Sequence, residues 1–201
     1  MSARAEVLGR IRAATGAAAA SAIEIPRDYR VSGSGGVELF VDRLKHYDAT
    51  CRRVGAGELD GAVREVLAGR SVRRLVVPDG LPEAWLTDAE PLRDSPPLSP
   101  QELDEADGTI STCAVAIAET GTIVLDGGPG MGRRILSLVP DYLLCVVRPE
   151  QIAPSVPEAI ARLEPTRPLT FISGPSATVD IEMVRVAGVH GPRRLDVIVA
   201  D

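Results

Sequence analysis

The sequence predicts an α/β fold, a mostly parallel sheet flanked by helices and preceded by a helical arm. Three observations predict it. Helical and extended apolar spacings alternate from residue 37 to residue 77, the pattern of parallel strands joined by crossover helices. Aromatic residues make up only 3% of the 201 residues, so the core that a chain of this length buries must be aliphatic. The apolar run ending at Ile172 breaks into Ser173-Gly174-Pro175-Ser176. A strand that runs into a Gly/Ser loop is where open α/β sheets place ligands, because the loop's N–H groups and hydroxyls have no ladder partners.

Taken in order, Val7, Leu8 and Ile11 share one face of a short amphipathic helix ending near Gly16. The apolar block is broken by Glu6, Arg10 and Arg12, so it lacks the continuous core of a signal peptide. The run Ser32-Gly33-Ser34-Gly35-Gly36 reads as a linker. Residues 1–36 are therefore an arm and linker, and residues 37–201 a single α/β domain. Val37, Phe40, Val41 and Leu44 predict a helix over 37–46, and a strand follows over 48–54. Leu59, Val63, Val66 and Leu67 predict a second helix closed by Gly69, ahead of a buried strand at 74–77. Residues 81–98 are irregular, anchored by Trp85, with room for a short strand. Ser99-Pro100-Gln101-Glu102 carries a helix start: a capping serine, proline in the first turn and a glutamate reaching back. Two apolar runs around Thr120-Gly121 predict a hairpin whose small-residue face (Ala114, Ala116, Ala118) packs closely. Thereafter a glycine-rich loop at 127–132, a helical 135–139, a buried strand at 142–147, a helix over 149–163 and strands at 170–172 and 195–200 complete the chain.

Charge and cysteine usage exclude several function classes. The net charge is −6, which opposes nucleic-acid binding, since that affinity rests on clustered cations. No apolar run reaches the length of a membrane span. Cys51, Cys113 and Cys145 are far apart in sequence and form no CxxC pair. That spacing predicts no metal or iron–sulfur site, no cofactor and no disulfide framework, and it suits a reducing cytoplasm.

Several residues carry two readings each. Ser173, Gly174 and Ser176 with Thr178 form an anion cradle at a strand exit, or Ser176 or Thr178 caps a short helix and Gly-Pro makes a turn. Arg133, after the glycine-rich loop, is a fork-like donor to a carboxylate or phosphate, or a solvated surface arginine. His190, between turns, is a general acid/base oriented by Asp180, or a hydrogen-bonded loop histidine.

Four blocks stand in sequence order: Ile117-Ala118-Glu119-Thr120-Gly121-Thr122; the Arg133 segment ending Leu138-Val139-Pro140; Ser173 through Glu182 with Asp180; and Gly188-Val189-His190-Gly191-Pro192. Together they resemble the LUD-domain proteins, specifically the lactate utilization protein C family. The resemblance implies a Rossmann-like fold akin to sugar-phosphate isomerases and CoA transferases. It also implies a part in oxidising L-lactate to pyruvate beside an iron–sulfur subunit and a cysteine-rich subunit. Catalytic residues are then expected at Glu119, His190 and Asp180. Ligand contacts are expected at Thr120, Gly121, Thr122, Arg133, Ser173, Gly174, Ser176 and Thr178. Glu119 is either a base or nucleophile, as in related CoA transferases, or a brace for its own turn. Three functional readings follow. The chain is a non-redox component binding a small anion or a partner subunit, a stand-alone enzyme on a sugar-phosphate or acyl-CoA-like substrate, or a structural assembly protein. In the assembly reading, the helical arm before Gly36 is a docking or dimer-exchange element, which would make a homo-oligomer.

Overall fold

A computed structural model describes residues 2–16, 25–86, 89–179, 185–187 and 191–201. The chain divides into two compact units, residues 1–30 and 31–201. The first carries helix α1 (Ala3–Thr15), whose N-cap Ser2 accepts the Ala5 N–H; Val7, Leu8 and Ile11 are exposed.

The second unit alternates helix and strand. Its elements are α2 (Val37–His46), β1 (Thr50–Val54), α3 (Leu59–Gly69), β2 (Arg74–Val77), β3 (Glu90–Arg93), α4 (Pro100–Asp104), β4 (Gly108–Ser111), β5 (Val115–Ile117) and β6 (Thr122–Leu125). They continue with β7 (Tyr142–Val147), β8 (Ile152–Ala153), α5 (Val156–Ile160), β9 (Thr170–Ile172), β10 (Ala177–Val179), β11 (Arg185–Ala187) and β12 (Arg194–Ala200). Six strands form one sheet in the order β1-β12-β7-β4-β2-β3, and every neighbouring pair is parallel. Both faces of the inner strands are covered, which is why β2, β7 and β12 are apolar at most positions, while the edge strands β1 and β3 carry exposed charged residues.

Period-two alternation sorts the side chains between the faces. Leu75 and Val77 of β2 and Leu144 and Val146 of β7 pack with Leu59, Val63 and Leu67 of α3 and with Trp85. On the other face, Leu143, Cys145, Val147 and Val197 meet Phe40 and Leu44 of α2. A second sheet, in the order β8-β5-β6-β9, contributes to that same core. The β5–β6 hairpin turns its small face inward, so Ala116 and Ala118 are fully buried there. Val115, Ile117 and Val124 point the opposite way, onto Ala153 and Ala159.

Most expected elements are present, including the capping box at Ser99, where Glu102 N–H donates to Ser99 Oγ and Glu102 Oε2 accepts the Ser99 N–H. The helix expected over 149–163 is not continuous. A 3-10 turn at Pro149–Gln151 leads into β8, which pairs parallel with β5, and only Val156–Ile160 is α-helical. Pro154 explains the break: it has no N–H to donate and excludes helical backbone from the residue before it. Pro157 sits in the first turn of α5, where a missing N–H leaves nothing unsatisfied. The segment over 135–139 is a 3-10 helix at Arg134–Ser137. The Ser32–Gly36 run is seated on the domain, its Gly33 N–H donating to Glu158 at 3.0 Å.

Candidate functional site

Two of the four sequence blocks meet through their hydroxyls. Thr120 Oγ1 lies 2.7 Å from Thr122 Oγ1, which lies 2.7 Å from Ser173 Oγ, fifty-one residues further on. The contact exists because β6 and β9 pair antiparallel, placing the start of one strand beside the end of the other. Both blocks rest on the C-terminal end of α2. At Gly121, with φ +62°, a Cβ would stand 2.7 Å from the Arg43 Cβ; at Gly174, with φ +87°, one would stand 2.5 Å from the Tyr47 Cβ. The left-handed backbone and the close approach both require glycine. These two residues thus fix the loops against the helix.

The loop Ser173–Ala177 borders an open cavity of about 280 Å³ that Ser137, Leu138 and Pro192 also line. Ser176 N–H donates to the Pro192 carbonyl at 2.7 Å, tying the third block to the end of the fourth. Ser137 Oγ donates to the Arg134 carbonyl. Thr178 pairs with Val186 in the β10–β11 hairpin. Asp180 and His190 lie outside the described residues.

Glu119 is oriented toward another element. Its Oε1 accepts the Val156 N–H at 2.9 Å, at the first turn of α5. The carboxylate braces a helix start 37 residues away.

Arg133 is brought to a different cavity from the hydroxyls. Its Nε and Nη2 donate to the two oxygens of Asp94, both at 2.6 Å, and Nη2 also donates to the Leu98 carbonyl. The hydrogen bonds from Arg133, opposed by burial, hold the Asp94 carboxyl below the usual range. This fork pair lines a cleft of about 730 Å³ that Pro78, Asp79 and Gly128 also border. The glycine-rich loop on that cleft is not a free phosphate cradle. The N–H groups of Gly128, Gly130, Met131 and Gly132 already donate to Asp126, Asp79 and Gly128. Sequence reasoning missed Asp79 and Asp94. A signal existed for Asp79: Pro78-Asp79-Gly80 directly follows β2, so it had to emerge at the C-terminal edge of the sheet.

Neither Cys51 nor Cys113 is a poised nucleophile. Burial pushes the Cys51 thiol up to about 11. Cys113, beside Cys145 and buried, is held well above the usual thiol range. A protonated thiol is neither a good nucleophile nor a metal ligand. Among the described residues, no group of three or more His, Cys, Asp or Glu is placed to hold a metal ion.

Comparison with known proteins bears on the same region. Residues 100–200 match the LUD domain. A lactate utilization protein C from Deinococcus radiodurans is 53% identical over 165 residues, covering 80% of this chain and 77% of that protein. The chain belongs to the LUD-domain family, among the lactate utilization protein C proteins. A second such protein, from Halalkalibacterium halodurans, is 35% identical over 109 residues, 50% of this chain and 47% of that one. The crystal structure of a DUF162 family protein from Deinococcus radiodurans superposes with a TM-score of 0.70 and 44% identity, covering 82% of this chain and 96% of its own. The LUD match takes in the hydroxyl chain, Glu119 and Arg133, whereas Asp79 and Asp94 fall before it. No helix among the described residues of this LUD protein is long and apolar enough to cross a membrane.

Proposed function

We propose that this chain is a component of an L-lactate utilization system, in which L-lactate is oxidised to pyruvate, and that its own part is non-redox. It binds a small anion or a partner subunit along the loops at 120–122 and 173–177, while electrons pass through iron–sulfur and cysteine-rich partner subunits. The observation that carries this reading is the Thr120–Thr122–Ser173 hydroxyl chain, which joins two distant blocks of the LUD match beside a small cavity. Hydroxyls suit a carboxylate of lactate size, as neutral donors hold an anion without a buried countercharge.

The stand-alone enzyme reading draws no support from Glu119, whose carboxylate accepts a backbone N–H. The decisive test is reconstitution. The purified chain alone, with L-lactate and a dye acceptor, turns over nothing; added to the iron–sulfur and cysteine-rich subunits of the same system, it raises lactate-dependent dye reduction. Ser173→Ala lowers that gain. Turnover by the chain alone refutes the non-redox assignment, and a gain insensitive to Ser173→Ala refutes the site.

A further inference from the structure

A second cavity lies away from the hydroxyl chain, at a point set by topology. From β2 the chain steps outward to β3, and from β4 it steps the other way to β7, so the strand order reverses between β2 and β4. In open parallel sheets the crevice outside the carboxyl ends of the strands at such a reversal receives ligands, because the two crossovers diverge and leave the strand ends uncovered. Here the crevice is floored by the glycine-rich loop. Gly130 N–H donates to the Asp79 carbonyl after β2, and its carbonyl accepts the Thr112 N–H after β4. A Cβ on Gly130 would stand 2.6 Å from Thr112 Oγ1, so the loop seats itself only because that residue is glycine.

The cleft above this floor, about 730 Å³, is in the size range of sites for drug-sized ligands. A three-carbon hydroxy acid would leave most of it empty. Its chemistry is mixed. Pro129, Pro168 and Leu136 offer apolar faces, Asp94 is pinned by Arg133, and the exposed Asp79 side chain has no hydrogen-bond or ion-pair partner among the described residues. Two carboxylates against one guanidinium leave the lining net negative. With that charge, and with the loop amides of Gly128, Gly130, Met131 and Gly132 already donating, the site is poorly matched to a phosphate. The turn after β2 is a 3-10 helix at Glu83–Trp85, too short to aim a helix dipole at one.

The geometry points to a second ligand site, in which Asp79 accepts both hydroxyls of a vicinal diol carried on an unphosphorylated ring, with the prolines against the ring's apolar face. A carboxylate has acceptor capacity for two hydroxyls at once. The same chemistry is presented by the ribose of a nucleoside and by a free sugar. The site is independent of the lactate reading, and its test does not measure lactate oxidation.

Calorimetric titration of the full chain with adenosine, 2′,3′-dideoxyadenosine, D-ribose and AMP decides it. Adenosine or ribose is expected to bind, dideoxyadenosine to bind at least ten-fold more weakly than adenosine, and AMP no tighter than adenosine. Adenosine binding tighter than ribose marks a nucleoside site, and ribose binding as tightly marks a sugar site; each supports the diol assignment. Asp79→Ala, with an unchanged thermal midpoint, is expected to weaken binding at least ten-fold. Absence of binding by both adenosine and ribose at millimolar concentration overturns the inference. So does dideoxyadenosine matching adenosine, AMP binding ten-fold tighter than adenosine, or binding untouched by Asp79→Ala.

Discussion

Removing the carboxylate of Asp196 is expected to be among the most damaging single changes to this fold. Asp196 lies in β12, with a side chain only 5% exposed, and accepts from Arg70 Nε at 2.8 Å, Arg70 Nη2 at 2.6 Å and the Tyr142 hydroxyl at 3.0 Å. Arg70 also sits over the Tyr142 ring, 5.9 Å from its centroid. One carboxylate thus joins the end of α3 to two central strands. Asp196→Ala leaves a guanidinium and a buried phenol without their acceptor, and breaking a buried pair this way costs about 3–5 kcal/mol. Arg70 is a third exposed, so water recovers part of its solvation. The expected loss is therefore near the low end, about 3 kcal/mol. Against a total stability of roughly 5–15 kcal/mol that is a large fraction. It corresponds to a fall in Tm of roughly 6–12 °C for a chain of this size. Tyr142→Phe removes one hydrogen bond to a charged group, about 1.5–3 kcal/mol.

Urea unfolding of the two single variants and the double variant measures the coupling, expected at about 1 kcal/mol or more because both partners share one carboxylate. The pH dependence has a definite sign. Burial, then the Asp196 charge, raises the Tyr142 phenol above its ordinary value. Above about pH 10 the unfolded phenol ionises while the folded one stays protonated. Stability contributed by Tyr142 is therefore present below that pH and declines above it, so the gap between wild type and Tyr142→Phe narrows as pH rises. An Asp196→Ala loss under about 1 kcal/mol, strict additivity, or a gap that widens above pH 10 refutes the reasoning.

Other perturbations follow from single contacts. Arg133→Gln removes the donor that depresses the Asp94 carboxyl; its penalty in urea is expected to be full at neutral pH and to shrink as pH falls through the folded value of Asp94, below the ordinary carboxylate range. Gly121→Ala places a methyl 2.7 Å from the Arg43 Cβ in left-handed backbone, and about 2 kcal/mol of stability is expected to be lost by thermal or urea melt. Thr122→Val breaks both hydroxyl contacts of the chain, at about 1 kcal/mol in urea. Glu119→Gln keeps an acceptor for the Val156 N–H and is expected to leave reconstituted activity intact, whereas a large loss of activity at unchanged stability would assign Glu119 to the chemistry.

Elements defined by their own side-chain spacing were legible in the sequence. The helix at 37–46 follows from Phe40 and Leu44, which are fully buried, and the strands at 74–77 and 142–147 follow from their apolar runs. The capping box at Ser99 was readable because all its atoms lie within one turn. The helix expected over 149–163 is interrupted at Pro154, and the parallel pairing of β8 with β5 that replaces it is invisible in a local window. Among the site residues, the motif blocks marked Thr120, Thr122 and Ser173, but not that their hydroxyls touch. Glu119 and Arg133 were marked without the partners, Val156 and Asp94, that occupy them.

Periodicity, composition and short motifs are properties of neighbouring residues, so the alternation of elements, the aliphatic core and the family blocks can all be read along the chain. The tertiary structure alone decided the strand order β1-β12-β7-β4-β2-β3, and with it which strand ends flank the reversal. It alone paired Asp196 with Arg70 across 126 residues, and Thr122 with Ser173 across 51. The physical reason is that a parallel sheet fixes partners by which chain segments can bury their faces together, a choice made by the whole core and not by any one stretch of it.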